Sequence, residues 1–138
     1  MGLYVQKFGG SSVATPERIR AVAQAVLRRH RRGDRLVVVV SAMGDATDDL
    51  IGLARQVTAK PDPREMDMLL ATGEQVSIAL MAMALKTLGA DAMSFTGAQA
   101  GFVTDGRHMK ARIVAVKAGR ITQALAAGKV AIVAGFQG

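Results

Sequence analysis

Leu36-Val37-Val38-Val39-Val40-Ser41-Ala42-Met43-Gly44 is the stretch on which the fold turns. Its aliphatic run, mostly β-branched, has no polar side. A strand that is apolar on both faces belongs in a parallel sheet covered by helices. Small residues follow at once, and open α/β sheets bind their ligands in the loops beyond the carboxyl ends of such strands. Upstream, Leu3 to Phe8 reads as a first strand, and Thr15-Pro16-Glu17 opens a helix. Threonine suits the N-cap, proline the first helical position and glutamate the first turn. A capping box is not expected, because Arg18 stands where its glutamate would be. Ile19, Val22, Ala23 and Val26 recur at helical spacing, and the helix stops near Gly33-Asp34. Strand, helix and strand form a βαβ unit, so segments 7–12 and 41–44 are expected side by side on one rim.

The first of those segments, Lys7-Phe8-Gly9-Gly10-Ser11-Ser12, has the makings of a phosphate cradle. Paired glycines let backbone N–H groups turn toward an anion, a helix behind them adds its positive end, and a neighbouring lysine adds a cation. It is not a P-loop, in which lysine follows the glycines. The same residues also suit an ordinary strand-to-helix turn, where glycine supplies an unusual backbone angle and the serines cap.

Thr47-Asp48-Asp49 begins a second helix with an apolar stripe through Leu50, Leu53, Ala54 and Val57. Pro61 and Pro63 break the chain, and a long helix runs from about Arg64 to Leu88 along Met66, Leu69, Leu70, Val76, Leu80 and Met83. Within it, Glu74 has Leu70 and Ile78 one turn away on either side. A charged carboxylate on an apolar face costs several kcal/mol unless it is paired, so Glu74 calls for a cationic partner from the protein or a ligand. A carboxylate that reaches solvent is the other reading. Gly73 beside it costs about 1 kcal/mol against alanine but permits close approach to the backbone.

Ala92 to Phe95 is a short strand. Segments 101–106 and 111–116 read as the arms of a hairpin whose mobile basic tip holds Arg107, His108 and Lys110. A helix from Ile121 to Ala127 leads to a strand from Val130 to Ala134. Gly135-Phe136-Gln137-Gly138 has the look of a loop that leads onward, so the sequence is expected to continue in a longer protein.

Composition narrows the chemistry. The 138 residues suffice for one domain with a core, and 50% are hydrophobic with few aromatics, a mix suited to a layered α/β fold. There is no cysteine and there are two histidines, which excludes disulfides, thiolate zinc and histidine-rich metal sites. A metal would be a hard ion such as Mg²⁺, held by carboxylates and phosphate. The net charge is +7, and Arg28, Arg29, His30, Arg31 and Arg32 supply much of it at a helix C-terminus, where cations offset the dipole. No aromatics interleave that run for base stacking, so no nucleic-acid partner is expected. The N-terminus lacks a basic-then-apolar leader and the unbroken apolar runs are short, so no membrane role and a cytoplasmic location are expected.

In order along the chain stand Lys7-Phe8-Gly9-Gly10-Ser11-Ser12, Val39-Val40-Ser41-Ala42-Met43-Gly44, Thr72-Gly73-Glu74, Ser94-Phe95-Thr96-Gly97 and Val133-Ala134-Gly135-Phe136-Gln137-Gly138. With these motifs the chain closely resembles the aspartate kinase family from end to end. The resemblance implies the amino-acid-kinase fold, an αβα sandwich around a mainly parallel sheet, here incomplete. It implies phosphoryl transfer from Mg²⁺-bound ATP to the side-chain carboxylate of L-aspartate, the first step toward lysine, threonine, methionine and diaminopimelate. By the same likeness, Lys7 is catalytic and binds ATP with Phe8, Gly9, Gly10 and Ser41. Asp45, Ala46, Thr47, Asp48 and Asp49 hold aspartate, and Glu74 pairs with its ammonium. Self-association into a homo-oligomer is also expected. Ser11 stands where many relatives carry threonine, which keeps the hydroxyl. The family's G-R-G-G-S-D segment, its adenine-binding strands and its ACT regulatory domains are not in this chain. Residues 1–138 are therefore expected to be the N-terminal portion of one kinase domain, inactive alone. The alternatives are a kinase for glutamate, acetylglutamate, carbamate or UMP, and a non-catalytic binding or assembly module.

Overall fold

A computed structural model describes residues 1–108 and 112–135, with only the backbone of Val114. The element order is β1 (Leu3–Phe8), a 3₁₀ turn (Gly10–Val13), α1 (Pro16–Arg31), β2 (Arg35–Val40), α2 (Ala46–Val57) and α3 (Pro63–Thr87). There follow β3 (Ala92–Phe95), α4 (Gly97–Ala100), β4 (Phe102–Thr104), β5 (Ile113–Val116), α5 (Gly119–Ala126) and β6 (Val130–Ala134).

Four strands form a wholly parallel sheet in the order β1-β2-β6-β3, while β4 and β5 form a separate antiparallel ribbon. The apolar run of β2 lies inside the sheet, with Leu36, Val38 and Val40 fully buried. These residues, together with Val130, Ile132 and Ala134 of β6, meet Ile19, Ala23 and Val26 of α1 and Ile78, Met81 and Leu85 of α3. The opposite sheet face carries Val37, Val39, Ala131, Val133 and Phe95 against α4, the ribbon and α5. This is the expected layered α/β architecture, with helices on both faces.

Local chemistry accounts for the boundaries. Thr15 Oγ1 accepts from the Arg18 N–H at 3.2 Å, and Pro16 takes the first helical position. Asp62 caps α3 in the same way through the Glu65 N–H. Two elements escape the sequence reading. The 3₁₀ turn separates the glycine pair from α1, and α4 is a single turn closed by a Thr96–Gln99 capping box. The hairpin arms are shorter than expected, with an irregularity between Val103 and Thr104, and α5 begins at Gly119 instead of Ile121. The brief apolar runs suggest no bilayer-length segment, yet α3 has the length and apolarity to cross one. Its buried stripe instead forms part of the domain core and includes Asp67 and Glu74.

Candidate active site

The rim at the carboxyl ends of β1 and β2 is built by backbone contact. Ser41 N–H donates to Phe8 O at 3.2 Å, and Gly44 N–H donates to Gly10 O at 2.9 Å. A Cβ on Gly10 would sit 3.0 Å from Ala42 O and 3.1 Å from Gly44 O, so a side chain here would have to push the carbonyls of the facing loop aside by a few tenths of an ångström. Neither Gly9 nor Gly10 has a positive φ. Gly10 therefore serves close approach, not the unusual angle that a plain turn would require. Gly44 does use the left-handed region, at φ +48°. Gly9 faces open space, which leaves its backbone approachable. The 3₁₀ turn behind the pair is fastened by Ser12 N–H to Gly9 O at 3.1 Å and by Arg18 Nη1 to Ser11 O at 2.6 Å. The N-terminus of α1 is thus displaced from the glycines by that turn.

The third segment of the site comes from α3. A Cβ on Gly73 would meet Ala42 Cβ at 3.1 Å and Leu50 Cδ1 at 3.4 Å, so the helix lies directly on the 41–44 loop and on α2. Gly10, Ala42, Gly44 and Gly73 therefore form one contiguous small-residue junction, and Glu74 is the next residue along. Glu74 is 6% exposed and is not without a partner in the fold. The need for a counter-group inferred from sequence is thus not left wholly to a ligand. Ser77 Oγ, also buried, donates to Gly73 O at 3.4 Å.

Residues 45–49 form the start of α2. Ala46 N–H donates to Met43 O and Asp49 N–H to Asp45 O, each at 2.9 Å. Asp45, Thr47, Asp48 and Asp49 are exposed while Ala46 is half-buried. Asp48 and Asp49 lie in the first turn, where the dipole favours anions. No residue of α2 is fully buried; the helix approaches α3 at Leu50, beside Gly73, while Leu53, Ala54 and Val57 line an open cleft against α3.

Lys7 approaches the rim from elsewhere. It pairs in register with Val39, which places it on the α5 side of the sheet, whereas Glu74 comes from the α3 side. Lys7 is exposed and Phe8 packs partly against the α1–α3 core. The structure joins the glycine, serine and Gly73–Glu74 segments directly, whereas Lys7 and Glu74 stand on opposite faces of the sheet.

One pairing has no counterpart in the sequence reading. His108 Nδ1 lies 3.0 Å from Asp67 Oδ2, bridging the hairpin and α3. His108, expected in a mobile tip, is tied down; Lys110 of that tip lies outside the described residues. Asp67 could have been found by the argument applied to Glu74, since it too is a carboxylate in an apolar helical stripe. A cleft of about 400 Å³ opens at the far sheet edge, lined by Ser94, Gln99, Arg120, Gln123 and Lys129, away from the glycine rim. Among the described residues no three carboxylates or imidazoles converge as a metal site.

A parallel sheet with helices on both faces, whose first two strand ends meet in a small-residue rim, is an open α/β fold of the kind that binds ligands at the carboxyl ends of its strands. The chain belongs to the amino acid kinase family, whose model matches residues 2–138. It is 59% identical over all of its 138 residues to an aspartokinase of Mycolicibacterium smegmatis and covers 33% of that protein. An aspartate kinase structure from Synechocystis superposes with a TM-score of 0.83 at 53% identity, over 99% of this chain and 22% of that one. E. coli aspartokinase III, solved with aspartate and ADP, shares the fold with a TM-score of 0.82 at 21% identity, over 99% of this chain and 41% of that one. The chain spans about a third of the length of the curated relatives it matches.

Proposed function

We propose that this chain is the N-terminal part of an aspartate kinase catalytic domain, in a cytoplasmic enzyme that uses ATP and L-aspartate and assembles as a homo-oligomer. The observation that carries the reading is the junction of Gly10, Ala42, Gly44 and Gly73, which unites three of the motifs shared with that family. Its support is the aspartokinase likeness along the whole chain.

In this reading an oxygen of the aspartate side-chain carboxylate attacks the γ-phosphorus of ATP. The bond from that phosphorus to the β,γ-bridging oxygen breaks, ADP leaves, and 4-phospho-L-aspartate forms. The nucleophile is already ionised, so no general base is needed. The protein's task is alignment and charge neutralisation. Lys7 offsets charge on the transferring phosphoryl group. The backbone of Phe8, Gly9 and Gly10 lines the phosphates, with open space at Gly9 for their approach, and Ser41 closes that side. Asp45, Ala46, Thr47, Asp48 and Asp49 border the acceptor. Glu74 offers its remaining lone pairs to the acceptor's ammonium. The described residues provide no carboxylate cage for Mg²⁺. The ion would arrive on the nucleotide's phosphates, where it would offset their charge.

Aspartate-dependent ADP release by a full-length kinase carrying these residues tests the proposal. Glu74→Gln should raise the aspartate KM by about tenfold or more, the scale of one charged hydrogen bond, while leaving the ATP KM near its original value. Equal turnover of glutamate, acetylglutamate or carbamate would overturn the choice of acceptor. The 138 residues alone should show almost no turnover.

A further inference from the structure

We propose that Asp67 and His108 form a positioning pair for the acceptor pocket, an inference that rests on the aspartate-kinase reading above. The pair docks the β4–β5 hairpin onto the same face of α3 that presents Glu74.

The argument begins with helix periodicity. Asp67 and Glu74 are seven residues apart, so they lie on one helical face about 10 Å from each other along the axis. Both fall within the continuous buried stripe of α3 that includes Leu70, Gly73 and Ile78. Because Gly73 touches Ala42 just past the end of β2, Glu74 sits at the level of the rim. The C-terminal half of α3 packs beside β3 and β6, since Met81 and Leu85 share a core with Ala92 and Val130. Asp67, toward the other end of the helix, therefore stands beyond the carboxyl edge of the sheet, two helical turns from Glu74 on the same face. The hairpin also leaves the sheet at that edge, because it follows β3 through α4.

At its base the hairpin is held by Phe102, which packs on the core beneath α4 and α5, but its outer end lies beyond that contact. It is a two-stranded ribbon of three and four residues, unpaired with the main sheet, and Val103, Ile113 and Val116 on it are exposed. Such a ribbon is marginal by itself. At its base, Lys117 N–H donates to Gly101 O at 2.7 Å. Toward its outer end, Asp105 Oδ1 accepts from the Arg107 and Arg112 N–H groups, each at 3.2 Å, which squares the arm that leads to His108. The contact with Asp67, 41 residues away in sequence, then fixes that arm to α3. Asp67 is 7% exposed, and a carboxylate this buried is kept for a specific contact or costs stability. Neither residue touches the reacting atoms; each acts by holding the wall beside Glu74.

The test uses a full-length kinase whose first 138 residues are this chain, with aspartate KM, ATP KM, kcat and Tm read in parallel. His108→Ala should raise the aspartate KM about tenfold, with kcat and the ATP KM changed less than about threefold. His108→Asn, which keeps a nitrogen donor near the Nδ1 position, should restore most of the loss. Asp67→Asn combined with His108→Ala should be no worse than the poorer single variant, as expected for two halves of one contact. An aspartate KM unmoved by His108→Ala, in an enzyme where Glu74→Gln does raise it, overturns the inference and leaves the functional reading standing. So does an equal rise in both KM values that tracks a fall in Tm and is not rescued by asparagine. An unmutated enzyme inert toward aspartate overturns both.

Discussion

Val5 and Val38 are the same residue on adjacent strands of one sheet, yet Val38 is fully buried and Val5 is 67% exposed. The contrast is between the two faces of the sheet. The face with Leu36, Val38, Val40 and Ile132 is sealed by α1 and α3. The other face is covered by α4, α5 and the hairpin over β6 and β3, and thins out toward β1, where Leu3 and Val5 are exposed. Lys7 belongs to that open flank. The lesson is an asymmetry of cover: one face is sealed from β1 across to β6, and the other is packed over β6 and β3 but leaves Lys7 exposed on β1. Arg29, stacked 4.2 Å from the Tyr4 ring centroid, shows the sealed side closing even over the edge strand.

The largest effect that sharpens this contrast belongs to the open flank. Lys7→Ala should lower kcat of the full-length kinase by about 100- to 1000-fold, the scale of losing one preorganised transition-state contact. Its stability should hardly change, as urea denaturation would reveal. A substantial loss of stability would mean that Lys7 is structural. On the sealed face, Ile132→Ala should cost about 2–5 kcal/mol, because it removes a fully buried side chain under two helices. Val5→Thr should stay within about 0.5 kcal/mol in the same experiment. Comparable costs at the two positions would break the comparison. The smallest effect concerns the cap that starts the sealing helix. The Glu17 carboxyl is held below its ordinary range by its own backbone N–H, by Thr15 and, less, by Arg20. Its ionised form therefore stabilises the fold at neutral pH, and that contribution disappears as pH falls through the lowered value. Glu17→Gln should reduce Tm slightly at pH 7, and the gap should close on acidification below the usual carboxylate range.

The local features of the protein were legible because their causes are local. Period-3.6 stripes mark α1 and α3, the valine run marks a doubly covered strand, and Thr15-Pro16-Glu17 caps a helix through atoms within one turn. The adjacency of the 7–12 and 41–44 segments also followed, since consecutive parallel strands joined by a helix commonly lie together. Gly73 and Glu74 could be singled out because a glycine and a carboxylate in an apolar stripe are each costly there.

Tertiary structure decided the remainder. No local pattern inserts β6 between β2 and β3, or leaves β1 at an edge with one flank bare, because strand order is settled by pairings across the whole chain. The sequence alternates no more clearly at Lys7 than at Phe8, and only the register with Val39 assigns the lysine to the α5 side. From sequence Gly10 suits either a phosphate cradle or an ordinary turn, and only the structure shows the carbonyls of another loop crowding its Cα. Asp67 and His108 are 41 residues apart and meet only because the fold carries the hairpin back over α3. Sequence by itself determined which segments become helices, strands and ligand-facing loops, since those depend on neighbours a few residues away. Which side chains then share a pocket depended on long-range packing, which only the assembled sheet and its helices supply.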